Sequence, residues 1–452
     1  MDNSNLLVGL DIGTTSVKAV VADSGKVIGA VAVPNKGMRH GNIVDIDETA
    51  AAINRALKEI AKKTNANIYR VVTGIPVGML QLETASDLVN VSDNGQEVGN
   101  HDVRRVVRAA IKSAVKNERE PISFLPSRFL IDGKTEVDDP RKMIAHSLSV
   151  QGIMLTAPAS PLHNIKKAIE RAGYSNNFFI PTPLAIASVA LNESERHFGS
   201  IILDLGGGVT TATVIHNNQI KYANIDFEGG SDISNDISVV LSTSNKDAEQ
   251  IKLDYGYADP SLASAKNKFA VNSVGSNGQQ MVDEKYLSEI INARVIQTID
   301  RIEKGLVKHD ALKLPGGIII TGGSSLLQGF DNIIANTLNV KARIYQPDQI
   351  GMRNPIYSAA YGVVNYAYKM SDIDFLVISA IYGKGALGLG EQSIQEKPKT
   401  SKRTIAVNET KRKEEYNRHE LLKREQSPHS KTKNNTQNKD KGFKNFFKKF
   451  FD

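Results

Sequence analysis

The sequence predicts an α/β protein of two equivalent halves, with a segment inserted in the first and a basic tail after the second. Three observations carry this reading. β-Branched runs alternate with helical runs up to about residue 385, one strand–turn–strand unit occurs twice, and the composition changes near residue 386.

The repeated unit spans residues 10–21, Leu-Asp-Ile-Gly-Thr-Thr-Ser-Val-Lys-Ala-Val-Val, and residues 203–214, Leu-Asp-Leu-Gly-Gly-Gly-Val-Thr-Thr-Ala-Thr-Val, at a constant offset of 193. Each copy is followed by a polar turn and a third strand, at 27–33 and 220–225, so the chain is expected to hold two β-meanders. Residues 49–63 are apolar at helical spacing, and 68–75 read as a strand. Residues 84–164 carry a helix and strands of their own and read as the insertion. After the second meander come helices near 233–241 and 247–253, a Ser/Gly/Asn-rich loop region to about 280, a long helix at 284–306 and a strand at 318–321. From about 386 the composition turns to Lys, Glu, Gln, Asn, Ser and Thr, and between Glu425 and Asp440 no large apolar residue occurs, so a flexible linker is expected over 386–440, about 55 residues reaching roughly 40 Å.

Composition narrows the function. The 452 residues include no Cys, which excludes disulfides, thiolate metal sites and cysteine catalysis and fits a reducing compartment. The first residues lack a basic n-region and a long apolar run, so no signal peptide is expected and the location is read as cytoplasmic. The formal net charge is +7, but residues 391–452 hold 17 Lys and Arg against 9 Asp and Glu, a surplus of eight, which leaves the first 390 residues at −1. A neutral body with a basic tail points away from nucleic acid and toward an anionic membrane surface.

The repeated turns suit phosphate chemistry. Successive backbone N–H groups in a tight turn form an anion nest, and glycine lets a phosphate approach it. Asp11 and Asp204 can hold a hydrated Mg²⁺, which takes one or two carboxylates. Lys18 can neutralise phosphate charge. Thr321-Gly322-Gly323-Ser324-Ser325, between a strand and a helical run, offers a flat backbone ledge for a nucleoside. Glu249 and Lys252, at i and i+3, can hydrogen-bond a ribose from one helix face or form a plain surface ion pair.

These motifs, with the small-residue run Pro355-Ile356-Tyr357-Ser358-Ala359-Ala360-Tyr361-Gly362, resemble the actin-like ATPase superfamily. Leu314-Pro315-Gly316-Gly317-Ile318, with the long helix before it, resembles the FtsA family of actin-like bacterial cell-division proteins. The resemblance implies an actin-like (ribonuclease H-like) two-lobed ATPase fold with an inserted subdomain, followed by a disordered linker and a C-terminal amphipathic helix. It implies a first lobe core of 1–83, 165–197 and 356–385, an inserted subdomain at 84–164, a second lobe core of 198–228 and 303–355, and an outer subdomain at 229–302. The linker is then 386–440 and the membrane-targeting helix 441–452. It further implies ATP and Mg²⁺ bound at Asp11, Gly13, Thr14, Thr15, Lys18, Asp204, Gly206, Gly207, Gly208, Glu249, Lys252, Gly322, Gly323 and Ser324. The implied partners are FtsZ, met by the outer subdomain, other copies of the chain in protofilaments, anionic lipids and later division proteins, at the septum on the cytoplasmic side of the membrane.

Two departures from the family pattern matter. Relatives often place Glu or Gln before the Pro-Leu-Ala of the connecting helix, where it can orient an attacking water; Thr182 stands there and is too short, so weak or absent ATP hydrolysis is expected. In the insertion, the family's Asp-Pro-x-Gly-Met-x-Gly is Asp139-Pro140-Arg141-Lys142-Met143-Ile144-Ala145, with both glycines replaced.

The tail carries the membrane reading. Phe443, Phe446, Phe447, Phe450 and Phe451 follow i, i+3, i+4, i+7, i+8, an arc of about 140° on a helix, while Lys444, Lys448 and Lys449 fall on the rest. Twelve residues are too few to span a bilayer, so the helix is expected to lie in the interface. The competing readings are a sugar kinase, because Asp-Ile-Gly-Thr-Thr-Ser-Val-Lys also resembles that branch of the superfamily, and a pilus-assembly actin homologue.

Overall fold

The computed structural model describes residues 6–116, 118–273 and 279–383. The linker and the tail helix, with all five phenylalanines and three lysines assigned to the membrane, lie outside them. Two units separate along the chain, residues 1–391 and 392–452, and the description below concerns the first.

The first lobe opens as an antiparallel meander of β1 (Leu6–Ile12), β2 (Ser16–Asp23) and β3 (Lys26–Pro34). A small hairpin, β4 (Met38–Arg39) with β5 (Asn42–Ile43), leads into helix α1 (Ile46–Thr64) and strand β6 (Arg70–Ile75). Asp45 caps α1 by accepting the Asp47 and Glu48 N–H groups, and Ala52, Ile53, Ala56, Leu57 and Ile60 form its buried stripe at helical spacing.

The insertion then departs as β7 (Gln81–Asn90), β8 (Gln96–Glu97), α2 (Asn100–Ala114), β9 (Arg119–Ile131), β10 (Thr135–Val137), β11 (Ile144–Ala145) and β12 (Ser147–Pro158). Its sheet runs β10-β9-β12-β7, with α2 setting Val103, Val106, Val107 and Ala110 against Phe124, Phe129, Leu148 and Val150. The chain returns through α3 (Ala159–Arg171) to β13 (Ser175–Pro181), completing a sheet ordered β13-β6-β1-β2-β3. Strands β6 and β13 are parallel to β1, because a helix carries the chain back across the sheet each time.

Helices α4 (Thr182–Ala190) and α5 (Glu193–Phe198) lead to the second lobe. That lobe repeats the plan with β14 (Ser200–Leu205), β15 (Thr210–His216) and β16 (Gln219–Asp226), then α6 (Gly230–Val240) and α7 (Asn245–Tyr255). Next come β17 (Lys268–Asn272), β18 (Gln279–Asp283) and α8 (Glu284–Lys308), followed by β19 (Ile318–Thr321), α9 (Phe330–Leu338) and β20 (Ala342–Ile344). Its sheet is ordered β16-β15-β14-β19-β20, the same topology as the first, with β19 and β20 parallel to β14. Leu287, Ile291, Val295, Ile299, Ile302 and Leu306, three or four residues apart, bury α8; each such side chain contributes ~1.5–3 kcal/mol.

Two matched sheets of this topology, with an inserted subdomain in the first, make the two-lobed actin-like fold that the sequence predicts. One local expectation fails. The region read as loop up to about 280 contains the β17–β18 hairpin, where Phe269, Val271 and Val282 alternate inward. Three buried positions across two five-residue strands are a weak signal beside the Ser, Gly and Asn around them.

Helices α10 (Ser358–Tyr368) and α11 (Asp372–Tyr382) close the described chain. α10 crosses α4, where the Asn365 amide donates to the Ser188 carbonyl and hydroxyl at 3.0 Å each. α11 serves two cores: Leu376 and Val377 enter the insertion's, Ile378 enters the first lobe's, and Tyr382 Oη donates to the Ile122 carbonyl at 2.8 Å.

Candidate functional site

In both lobes an apolar strand carries an aspartate, Asp11 or Asp204, as its last residue but one before a turn. Gly13 N–H closes the first turn on the Ser16 carbonyl and Gly206 N–H closes the second on the Val209 carbonyl, each at 3.0 Å. Cross-strand pairing sets Lys18 opposite Asp11, and Lys18 Nζ stands 3.1 Å from Asp11 Oδ2.

The two turns face each other at van der Waals distance. A Cβ on Gly207 would lie 2.4 Å from Thr15 Cγ2, and one on Gly208 would lie 2.6 Å from Thr14 Cγ2. Only glycine permits that approach. The geometry brings Asp11, Gly13, Thr14, Thr15 and Lys18 to one side of a clasp and Asp204, Gly206, Gly207 and Gly208 to the other.

Charge within the clasp is unbalanced. Burial, then repulsion from Asp11, pushes the Asp204 carboxyl up to about 6, while Lys18 pulls it back. Two carboxylates sharing one lysine suit a divalent cation, whose remaining ligands would be water and phosphate oxygens. Among the described residues no group of three or more His, Asp or Glu has metal-binding geometry.

The third glycine turn is latched to the second. Gly322 sits at φ +89°, and a Cβ there would meet Asp204 Oδ1 at 2.6 Å. Ser324 Oγ donates to the Gly206 carbonyl at 3.2 Å, so this hydroxyl fastens two turns together. Gly323 faces Ile356, whose Cγ2 would be 3.2 Å from a Cβ at 323.

Lys252 departs from its expected role at a ribose. It is buried, and its ammonium donates to the Gly230 carbonyl at 2.7 Å, to Ser234 Oγ at 2.8 Å and to Glu249 Oε2 at 2.7 Å. An ammonium has three N–H bonds, and all three are spent. Burial lowers its pKa, and Glu249 opposes that shift. Lys252 therefore ties α7 to the start of α6. Glu249 is half exposed; its Oε2 also accepts from Ser234, and its Oε1 remains for a ligand hydroxyl.

Thr182 is buried at the first position of α4, with Oγ1 3.2 Å from where a Cβ on Gly74 would stand. Two residues that serve this site carry no recognisable motif: Ser234, held by Glu249 and Lys252, and Asn35, directly after β3. A lone polar residue beside a strand or in a helix gives periodicity nothing to register.

Comparison with known proteins fits this geometry. The family described as "Cell division protein FtsA" matches residues 201–362, and "SHS2 domain inserted in FTSA" matches residues 78–156. The cell division protein FtsA of Enterococcus hirae is 38% identical over 388 residues, covering 85% of this chain and 88% of that protein. FtsA of Enterococcus faecalis is 36% identical, covering 93% and 96%, and FtsA of Bacillus subtilis is 33% identical, covering 82% and 86%. Among solved structures, one titled "PilM-PilN type IV pilus biogenesis complex" shares the fold with a TM-score of 0.57 at 15% identity, over 80% of this chain and 99% of that one. The matched relatives are division proteins over most of their length, which sets aside the sugar-kinase alternative. With relatives 33–38% identical over 82–93% of its length and the two family models matching 201–362 and 78–156, the chain belongs to the FtsA family of cell division proteins.

Proposed function

We propose that the protein binds Mg·ATP in the clasp, polymerises on the inner face of the cytoplasmic membrane and tethers the FtsZ ring there, helping to recruit later division proteins to the septum. The observation that carries the nucleotide is the contact of Thr14 and Thr15 with Gly208 and Gly207, which places two anion nests and two carboxylates around one small volume. Bound phosphates would bridge the lobes, so the ligand favours the closed arrangement by its differential contacts with it. Asp11 and Asp204 would hold the metal, Lys18 the phosphates, Glu249 the ribose and Gly322–Gly323 the base. The boundaries predicted from sequence serve as the subdomain division, with the FtsZ contact in 229–302.

Thr182 has no carboxamide or carboxylate with which to orient a water, so ATP acts chiefly as a switching ligand. Steady hydrolysis by the purified protein is expected to stay below about one turnover per second, the lower end of ordinary enzymes; a phosphate-release assay giving that rate or more overturns this point.

The membrane attachment rests on the phenylalanine pattern of residues 443–451 and on the position of the positive charge. One such helix binds reversibly, and a filament displaying many binds persistently through effective concentration. On anionic lipid monolayers with Mg·ATP, electron microscopy is expected to show filaments lying on the lipid that retain FtsZ at the layer. Bare monolayers with and without ATP would remove the polymerising tether.

A further inference from the structure

We infer that Asn35 is a positioning residue for the phosphates of the bound nucleotide: it holds the first turn from behind so that the turn's N–H groups face the ligand. The inference rests on the nucleotide reading above. Asn35 is 5% exposed, an uncommon place for a neutral amide. Its backbone N–H donates to the Thr15 carbonyl at 2.9 Å, and its side-chain Nδ2 donates to the Gly13 carbonyl at 2.9 Å. One residue thus binds two of the three carbonyls between Gly13 and Thr15. In a trans peptide the C=O and the following N–H point in opposite directions. Fixing those carbonyls on Asn35 therefore turns the N–H groups of Thr14 and Ser16 away from it.

The amide is itself anchored. Gly37 N–H donates to Asn35 Oδ1 at 3.1 Å, which sets the orientation of the amide, and the Gly37 carbonyl accepts from Val44 and Asp45, the latter the cap of α1. From the same loop, the tip of the β4–β5 hairpin reaches forward, and Gly41 N–H donates to Thr14 Oγ1 at 3.1 Å. That bond occupies a lone pair of the hydroxyl and leaves its proton for an acceptor outside the loop. A 19-residue helix, its cap and one buried amide thus hold the first turn in place before any ligand arrives.

A residue that only closes a loop and one that aims a phosphate turn are told apart by ligand. Asn35→Leu and Asn35→Ser both remove the bond to Gly13, the second with little change in polarity. Each is titrated by calorimetry with Mg·ATP and with adenosine, beside the wild type. Two lost or misaligned hydrogen bonds are expected to weaken Mg·ATP about tenfold in both variants, with adenosine affinity within about twofold of wild type. Unchanged Mg·ATP affinity in either folded variant, or equal losses for ATP and adenosine, overturns the assignment. A wild-type protein that does not bind Mg·ATP overturns the nucleotide reading instead, a result distinct from both.

Discussion

Replacing Phe446 and Phe450 with glutamate is expected to release the protein from anionic vesicles while leaving its affinity for Mg·ATP unchanged. Full burial of a phenylalanine contributes ~1.5–3 kcal/mol and interfacial burial part of that. Each new carboxylate also meets a negative surface, at about 1 kcal/mol per charge. Together the two changes should weaken partitioning at least a hundredfold, since every ~1.4 kcal/mol is a factor of ten. Co-sedimentation with vesicles at physiological salt reads this directly. If the variant pellets like wild type, the phenylalanine face is not the anchor. Raised salt should weaken the wild type in part, by screening the lysines and leaving the apolar contact.

The second large effect is expected at Asp204. Its carboxyl is held at about 6 against an ordinary 3.8, so between those values the folded protein keeps a proton that the unfolded chain releases. Stability of the nucleotide-free protein should accordingly rise as pH falls from 6 towards 4. Above pH 6 the ionised carboxylate is a standing cost of about 2 kcal/mol once its partial contact with water is allowed for. Asp204→Asn removes that cost. At pH 7.5 without ligand the variant should melt several degrees above wild type, with the advantage shrinking towards pH 4.5. It should also lose the extra thermal stabilisation that Mg²⁺ adds to ATP in the wild type, since half of the carboxylate pair is gone. A variant that melts no higher than wild type at pH 7.5, or that keeps the full Mg²⁺ effect, contradicts the assignment.

The two aspartate turns illustrate what sequence reveals and what it leaves hidden. Each is a contiguous string, and their fixed offset makes a duplicated sheet visible before any coordinates, so the lobes and most of the clasp follow from local pattern. Lys252 shows the limit. Its spacing from Glu249 is a sequence fact, but whether its three N–H bonds are free depends on Gly230 and Ser234, which reach it only through the packing of α6 on α7. Asn35 is harder still, because its importance lies in the two carbonyls it binds, 20 and 22 positions earlier in the chain. The β17–β18 hairpin was hidden for another reason: its strands are short, and long-range packing on α8 outweighs the polar composition around them.

Helix α11 has a mechanical consequence. The chain runs on beyond it to the residues proposed as the anchor, so on that proposal a pull on the tail would enter the body near Tyr382. That residue is bonded to Ile122 at 2.8 Å, and its neighbours on α11 are seated in two separate cores. A pull applied there is shared between the insertion and the first lobe, whose core at Ile378 includes Leu7 of β1 and Val20 and Ala22 of β2, the strands that flank the first turn. On the proposed tethering role, strain in the tail and the seating of the first turn would thus be coupled through one apolar core.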